Sequence, residues 1–120
     1  MMDWENINKI RFHGAESMKH FIVKAMVSRI MYDRKYYIYT ERRFILFSDK
    51  KGGRIADVYC TKMPSKNNKI IIEVENRPTK KHTQEIVEFY NEIGDLIIVD
   101  LRKISNDIVK MEKELREILP

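Results

Sequence analysis

An α/β domain with a mixed central sheet flanked by helices is the fold expected of this chain. Apolar residues at helical spacing open and close it, and β-branched and aromatic runs punctuated by turn residues stand in succession between 36 and 76. A later apolar run, 95–101, is separated from them by a segment of helical periodicity, the pattern of a crossover between parallel strands. The order is helix, strand, strand, strand, helix, strand, helix. A length of 120 residues suits one domain with one real core.

The elements follow in order. Residues 15 to about 33 form an amphipathic helix, with Met18, Phe21, Ile22, Ala25, Met26 and Ile30 at helical spacing. Tyr36 to Thr40 and Arg43 to Phe47 make one long or interrupted strand. Asp49 to Gly53 is a turn, Arg54 to Thr61 a second strand, Pro64 to Asn68 another turn, and Lys69 to Asn76 a third strand. Thr79 caps a helix that runs to about Ile93, with Ile86, Phe89, Tyr90 and Ile93 as its apolar stripe and Gly94 as its stop. The nearly unbroken apolar run from Asp95 to Leu101 reads as a strand covered on both faces. A last helix spans about Ser105 to Leu119. Its residues Ile104, Ile108, Met111, Leu115 and Ile118 follow a heptad spacing that serves either packing on the sheet or a two-fold homodimer contact.

Composition narrows the setting. The apolar share of 43% is ordinary and the charged share of 34% is high. No apolar run approaches the roughly 18 residues of a membrane span, and the amino terminus, Met-Met-Asp-Trp-Glu-Asn, is too polar for a signal peptide. The single cysteine, Cys60, has no internal partner and reads as a strand-packing residue, so a reducing, cytoplasmic setting is expected. Charge is unevenly spread. Lys9 to Lys81 carries 18 Lys/Arg against 7 Asp/Glu, whereas His82 to Pro120 carries 5 against 9. Either the basic part is a solvated surface, or it grips a polyanion such as nucleic acid.

That same basic part holds acids where strands do not favour them. Asp57 lies in Arg-Ile-Ala-Asp-Val-Tyr, and Glu73 and Glu75 lie in Ile-Ile-Ile-Glu-Val-Glu-Asn. Alternation puts Glu73 and Glu75 on one face of their strand, and Asp57 on a neighbouring strand can join them. Three crowded carboxylates repel one another unless a cation joins them, and a hard divalent ion, Mg²⁺ or Mn²⁺, suits such oxygen ligands. The alternative is that Glu73 and Glu75 are the solvent face of an edge strand. His13, His20 and His82 are not spaced as a metal set with Cys60 and are expected at the surface or in packing. Tyr32, Tyr36, Tyr37, Tyr39 and Tyr59 interleave with Arg34, Lys35, Arg42 and Arg43, a mixture that stacks on bases or simply packs the sheet.

With these acids in this order, the chain resembles the PD-(D/E)XK nuclease superfamily, the restriction-endonuclease-like fold. It is also similar in spacing to archaeal Holliday-junction resolvases and small archaeal or viral nucleases. The resemblance covers roughly residues 14 to 101. It implies an αβββαβα core, a first-helix acid at Glu16 (in His13-Gly-Ala-Glu-Ser), a second-strand acid at Asp57, and Glu73 as the first member of the third-strand pair. Glu75 stands where the family has a lysine, with Lys80, Lys81 and Gln84 on the following helix as candidates to supply a replacement. It further implies that Asp57 and Glu73, with a backbone carbonyl near Val74, hold Mg²⁺ or Mn²⁺, that Glu75 is a base or further ligand, and that Gln84 meets water or phosphate. Arg54 and Arg77 would clamp substrate phosphates, with Lys80, Lys81, Arg42 and Arg43 as further nucleic-acid contacts. The function so implied is a metal-dependent endonuclease acting on duplex or branched DNA. Two alternatives stay open, a catalytically silent nucleic-acid-binding module on the same fold, and an interaction domain whose acids are a solvated strand face.

Overall fold

A computed structural model of the chain describes residues 6–11, 14–46, 53–62 and 68–120. Its elements are α1 (Met18–Asp33), β1 (Tyr37–Phe44), β2 (Arg54–Thr61), β3 (Lys69–Glu75), α2 (Lys80–Tyr90), β4 (Asp95–Asp100), a 3-10 turn (Leu101–Lys103) and α3 (Ile108–Ile118). The element order is the one expected. His13, Phe47 and most of the two expected turns, 49–52 and 64–67, lie outside the described residues.

The four strands form one mixed sheet in the order β1-β2-β3-β4. β1, β2 and β3 pair antiparallel, and β4 runs parallel to β3 after the α2 crossover. Residues 8–11 cover the outer side of β1: Ile38 N donates to Asn8 Oδ1, and Arg11 N donates to Thr40 Oγ1. The exposed hydrogen-bonding groups of that edge are thereby partly occupied.

Helices lie on both faces. Val23, Val27, Ile30 and Met31 of α1 and Met111 and Leu115 of α3 pack with Ile38, Val58, Cys60, Ile70, Ile72 and Val74 on one side. Ile86 and Tyr90 of α2 pack with Tyr39, Ala56, Tyr59 and Ile71 on the other. Cys60 is fully buried, as expected of a packing residue, and burial pushes its thiol up to about 12.

Four expectations need correction. α1 starts at Met18, not 15, because Ser17 caps it by accepting from His20 N. Its buried face is also different from the one expected. Met18 is 74% exposed, while Lys24 and Ser28 are buried between Val23 and Val27 and beyond. The helix is apolar around much of its circumference, so the apolar period alone selects no face.

β4 is an edge strand whose two faces are only partly covered: Ile97 and Val99 pack on the α1 and α3 side and Leu96 on the α2 side, and within the strand only Val99 is buried. In α3 the heptad seam is not kept. Ile104 is buried but precedes the Asp107 cap, and Ile108 and Ile118 are 58% and 46% exposed, whereas Met111, Leu115 and Leu119 are buried. A straight helix keeps a period near 3.6, so positions four apart outlast a seven-residue repeat.

Gly94 is required by a close approach, since a Cβ there would meet the Lys69 backbone carbonyl and Cβ. Arg34, at the C-terminal end of α1, donates to the carbonyls of Arg116, Leu119 and Pro120 and ties that end to the end of α3. Among the described residues no helix is long and apolar enough to cross a membrane.

Candidate functional site

The site forms where the sheet loses its regular alternation. Along β1 and β2 the ladder pairs Thr40 with Val58 and then Arg42 with Ala56, leaving Glu41 and Asp57 between them unpaired. Tyr39 and Tyr59 face α2, and so do Ala56 and Phe44, which lie three and five residues away rather than an even number. The faces therefore exchange at Glu41 and Asp57 together. Glu41 takes a left-handed backbone, φ 53°, to make the exchange.

At the same level β2 parts from β3. Their ladder ends at Val58 and Ile72, and the next bond comes from a side chain: Val74 N donates to Asp57 Oδ2 at 2.7 Å. The opening is a cavity of about 390 Å³ whose wall includes Glu16, Glu41, Asp57, Glu73 and Glu75, five carboxylates, together with His20 and Arg77. Asp57, Glu73, Glu75 and Glu16 thus all line this one cavity. Glu16 lies just before the α1 cap rather than in its first turn.

On the α1 side every acid has a cation. Lys24 is fully buried, and its Nζ donates to Glu16 Oε1 and Oε2 at 2.9 and 3.0 Å, to Glu41 Oε1 at 3.0 Å and to Arg11 O at 2.7 Å. His20 Nδ1 lies 2.7 Å from Glu16 Oε2. Its Nε2 lies 3.0 Å from Val74 O and 3.5 Å from Asp57 Oδ1, the latter an ion-pair distance rather than a tight hydrogen bond. Contact with Asp57, aided by Glu16 and opposed by burial, pushes the imidazole up to about 9.

On the β3 side the balance differs. Glu73 is only 5% exposed, and its Oε1 accepts from Tyr90 OH at 3.0 Å. Burial first, and the charge of Asp57 second, push its carboxyl up to about 8, with Tyr90 and Arg54 pulling the other way. Tyr90, fully buried, is itself raised by burial and by Glu73. Glu75 sits nearer solvent, with His82 Nε2 3.2 Å from its Oε1. His82 enters α2 under the Thr79 cap, whose hydroxyl accepts from His82 N.

Of the expected cations, Arg77 lines the cavity, and Lys80 and Lys81 stand exposed at the start of α2. Arg54 lies close enough to act on Glu73. Arg42 is placed elsewhere: its guanidinium lies over the rings of Tyr39, Tyr59 and Phe44, 4.8, 5.6 and 5.8 Å from their centroids. Arg43 is exposed on β1. Gln84 does not line the cavity; it is exposed and donates to Glu88.

His20, expected at the surface or in packing, is instead part of the cavity wall, as is Glu41. Neither they nor Lys24 and Tyr90 were expected at the site. His20 and Lys24 with Glu16 have a legible signal: 16, 20 and 24 are charged or titratable residues spaced one helical turn apart.

The cavity's donors suit a hard cation. Asp57, Glu73 and the Val74 carbonyl offer oxygen only, and magnesium takes one or two carboxylates while keeping waters. Among the described residues no group of three or more His, Cys, Asp or Glu side chains is placed to hold a metal ion. No protein-family model matches the chain, and no curated protein matches it.

Proposed function

We propose that the chain is a metal-dependent endonuclease that hydrolyses DNA phosphodiester bonds on a restriction-endonuclease-like core. The supporting observation is the cavity itself: Asp57, Glu73 and Glu75 line it at the break in the sheet together with the exposed Arg77, and the exposed Lys80 and Lys81 follow at the start of α2. Asp57, Glu73 and the Val74 carbonyl would hold Mg²⁺ or Mn²⁺. Bound there, such an ion acidifies a coordinated water and offsets charge developing on the phosphate.

The protein's own groups do the rest. Val74 N–H fixes Asp57 by bonding Oδ2, while Oδ1 faces His20 Nε2. Tyr90 fixes Glu73 in the same way. Glu75, at the solvent side, accepts a proton from water as general base, and His82 orients it. Arg77, Lys80 and Lys81, with Arg54 behind them, neutralise the backbone phosphates.

Glu75 in place of the family lysine supports a second reading, a DNA-binding module that has lost catalysis. Cleavage separates the two. Wild type and Asp57→Ala are incubated with supercoiled, linear, single-stranded and four-way-junction DNA in Mg²⁺, Mn²⁺ or EDTA. Metal-dependent cutting that disappears in Asp57→Ala is the expected result. Salt-sensitive retention of DNA without cutting would establish the silent module instead, and neither cutting nor retention would overturn both readings.

A further inference from the structure

Building on the metal site proposed above, we infer that the His20 imidazole is a resident cation of the pocket, docked where a divalent ion would bind, and that the ring must leave before Asp57 and the Val74 carbonyl can take such an ion. The ring's three partners are Glu16 Oε2, Val74 O and Asp57 Oδ1. All of them accept and none donates when the carboxylates are ionised, so a ring serving all three carries hydrogen on both nitrogens and with it a positive charge. One atom, Nε2, faces both Asp57 Oδ1 and Val74 O, at 3.5 and 3.0 Å. An ion shared by those two oxygens would occupy the same space, since oxygen ligands sit at about 2.1 Å from magnesium. A second positive charge so close to the ring would also be repelled.

The ring is free to leave in a way that its neighbour Lys24 is not. The His20 side chain is 12% exposed on the cavity wall, whereas the Lys24 side chain is 0% exposed and held by four oxygens. When His20 withdraws, Glu16 keeps Lys24 and is not left as a lone buried charge. The arrangement makes His20 a reversible plug and Lys24 a permanent tie.

Binding of Mn²⁺, followed through the paramagnetic resonance of the free ion, tests this in the wild type, His20→Ala, His20→Gln, Asp57→Asn and the double variant His20→Ala/Asp57→Asn. Alongside, the ring signals of His20 in the wild type are followed by NMR during a Mg²⁺ titration. The expected result is binding about tenfold tighter in both His20 variants, the scale of one charge-assisted hydrogen bond, with binding lost in both proteins carrying Asp57→Asn. The His20 signals of the wild type should move to those of a solvent-exposed ring as Mg²⁺ is added. Equal or weaker binding in the His20 variants, lost with Asp57→Asn, would overturn the plug while leaving the metal site standing. Weaker binding would make His20 a ligand. Absence of Mn²⁺ binding in every protein would overturn the plug and the metal site together. Should the His20 variants fail to fold, ring signals that stay put in saturating Mg²⁺ would overturn the plug by themselves.

Discussion

The two walls of the cavity bury carboxylates in opposite ways. On the α1 wall, Glu16 and Glu41 are matched by the Lys24 ammonium, with His20 added beside Glu16. On the β3 wall, Glu73 has a hydroxyl for its partner, and the charge nearest to it in effect is another acid, Asp57. The first wall neutralises charge by pairing and the second by holding a proton. A buried acid needs a compensating positive charge or a proton, and this fold uses each solution a few ångströms from the other.

The largest effect should come from breaking the pairing. Lys24→Met removes the one ammonium shared by two buried carboxylates and leaves Glu16, with a 4% exposed side chain, only His20 beside it. A loss of about 3–5 kcal/mol is expected from stranding a buried charge, read as a lower urea midpoint at constant slope. Adding Glu16→Gln should recover part of it, and a Lys24→Met variant of wild-type stability would show that the pair does not hold this wall.

A smaller effect should come from removing the proton switch. Glu73 binds its proton more tightly in the fold than in the unfolded chain, so stability falls as pH rises from 4.5 toward about 8. His20 acts in the same direction: its contribution is complete below 6.5 and is lost as pH rises through about 9. In EDTA the protein should therefore lose stability steadily from mildly acidic to alkaline pH. Glu73→Gln should flatten the lower part of that fall and be more stable than wild type at pH 9, with no gain near pH 4. Parallel pH profiles for the variant and the wild type would mean that Glu73 is ionised throughout.

The smallest effect tests how the proton is shared. Tyr90→Phe keeps the ring in the α2 core and removes only the donor to Glu73. A cost of about 1 kcal/mol is expected. The pH at which Glu73 titrates, followed by carboxyl carbon NMR, should move further up because the bond with Tyr90 favours the ionised form. A downward move would mean that the tyrosine serves the protonated acid instead.

Much of this could be read from residue order. Thr79 caps α2 as expected because capping is a local event, although the helix ends at Tyr90 with Asn91 as its C-cap, short of Ile93 and Gly94, and Asp57, Glu73 and Glu75 stand out because strands seldom carry acids among isoleucines and valines. The buried face of α1 could not be read in that way, since its decisive residue is a lysine. Lys24 is inside only because Glu16 and Glu41 meet it there, and Glu41 reaches it from a β1 residue with positive φ that nothing in Thr-Glu-Arg announces. Edge exposure of β4 was equally illegible, because an apolar run does not say how many layers cover it. Arg42 looks like a phosphate contact in sequence and becomes a cover for three aromatic rings once β1 exchanges its faces.

That exchange at Glu41 and Asp57 behaves like a dislocation in a crystal lattice. The sheet beyond it runs half a period out of phase with the sheet before it, and both strands carry the slip at the same level. Such a defect cannot be healed on one strand without putting the other out of step. Single substitutions can thus change the cavity's chemistry, but the cavity's address in the sheet is fixed by the mismatch itself.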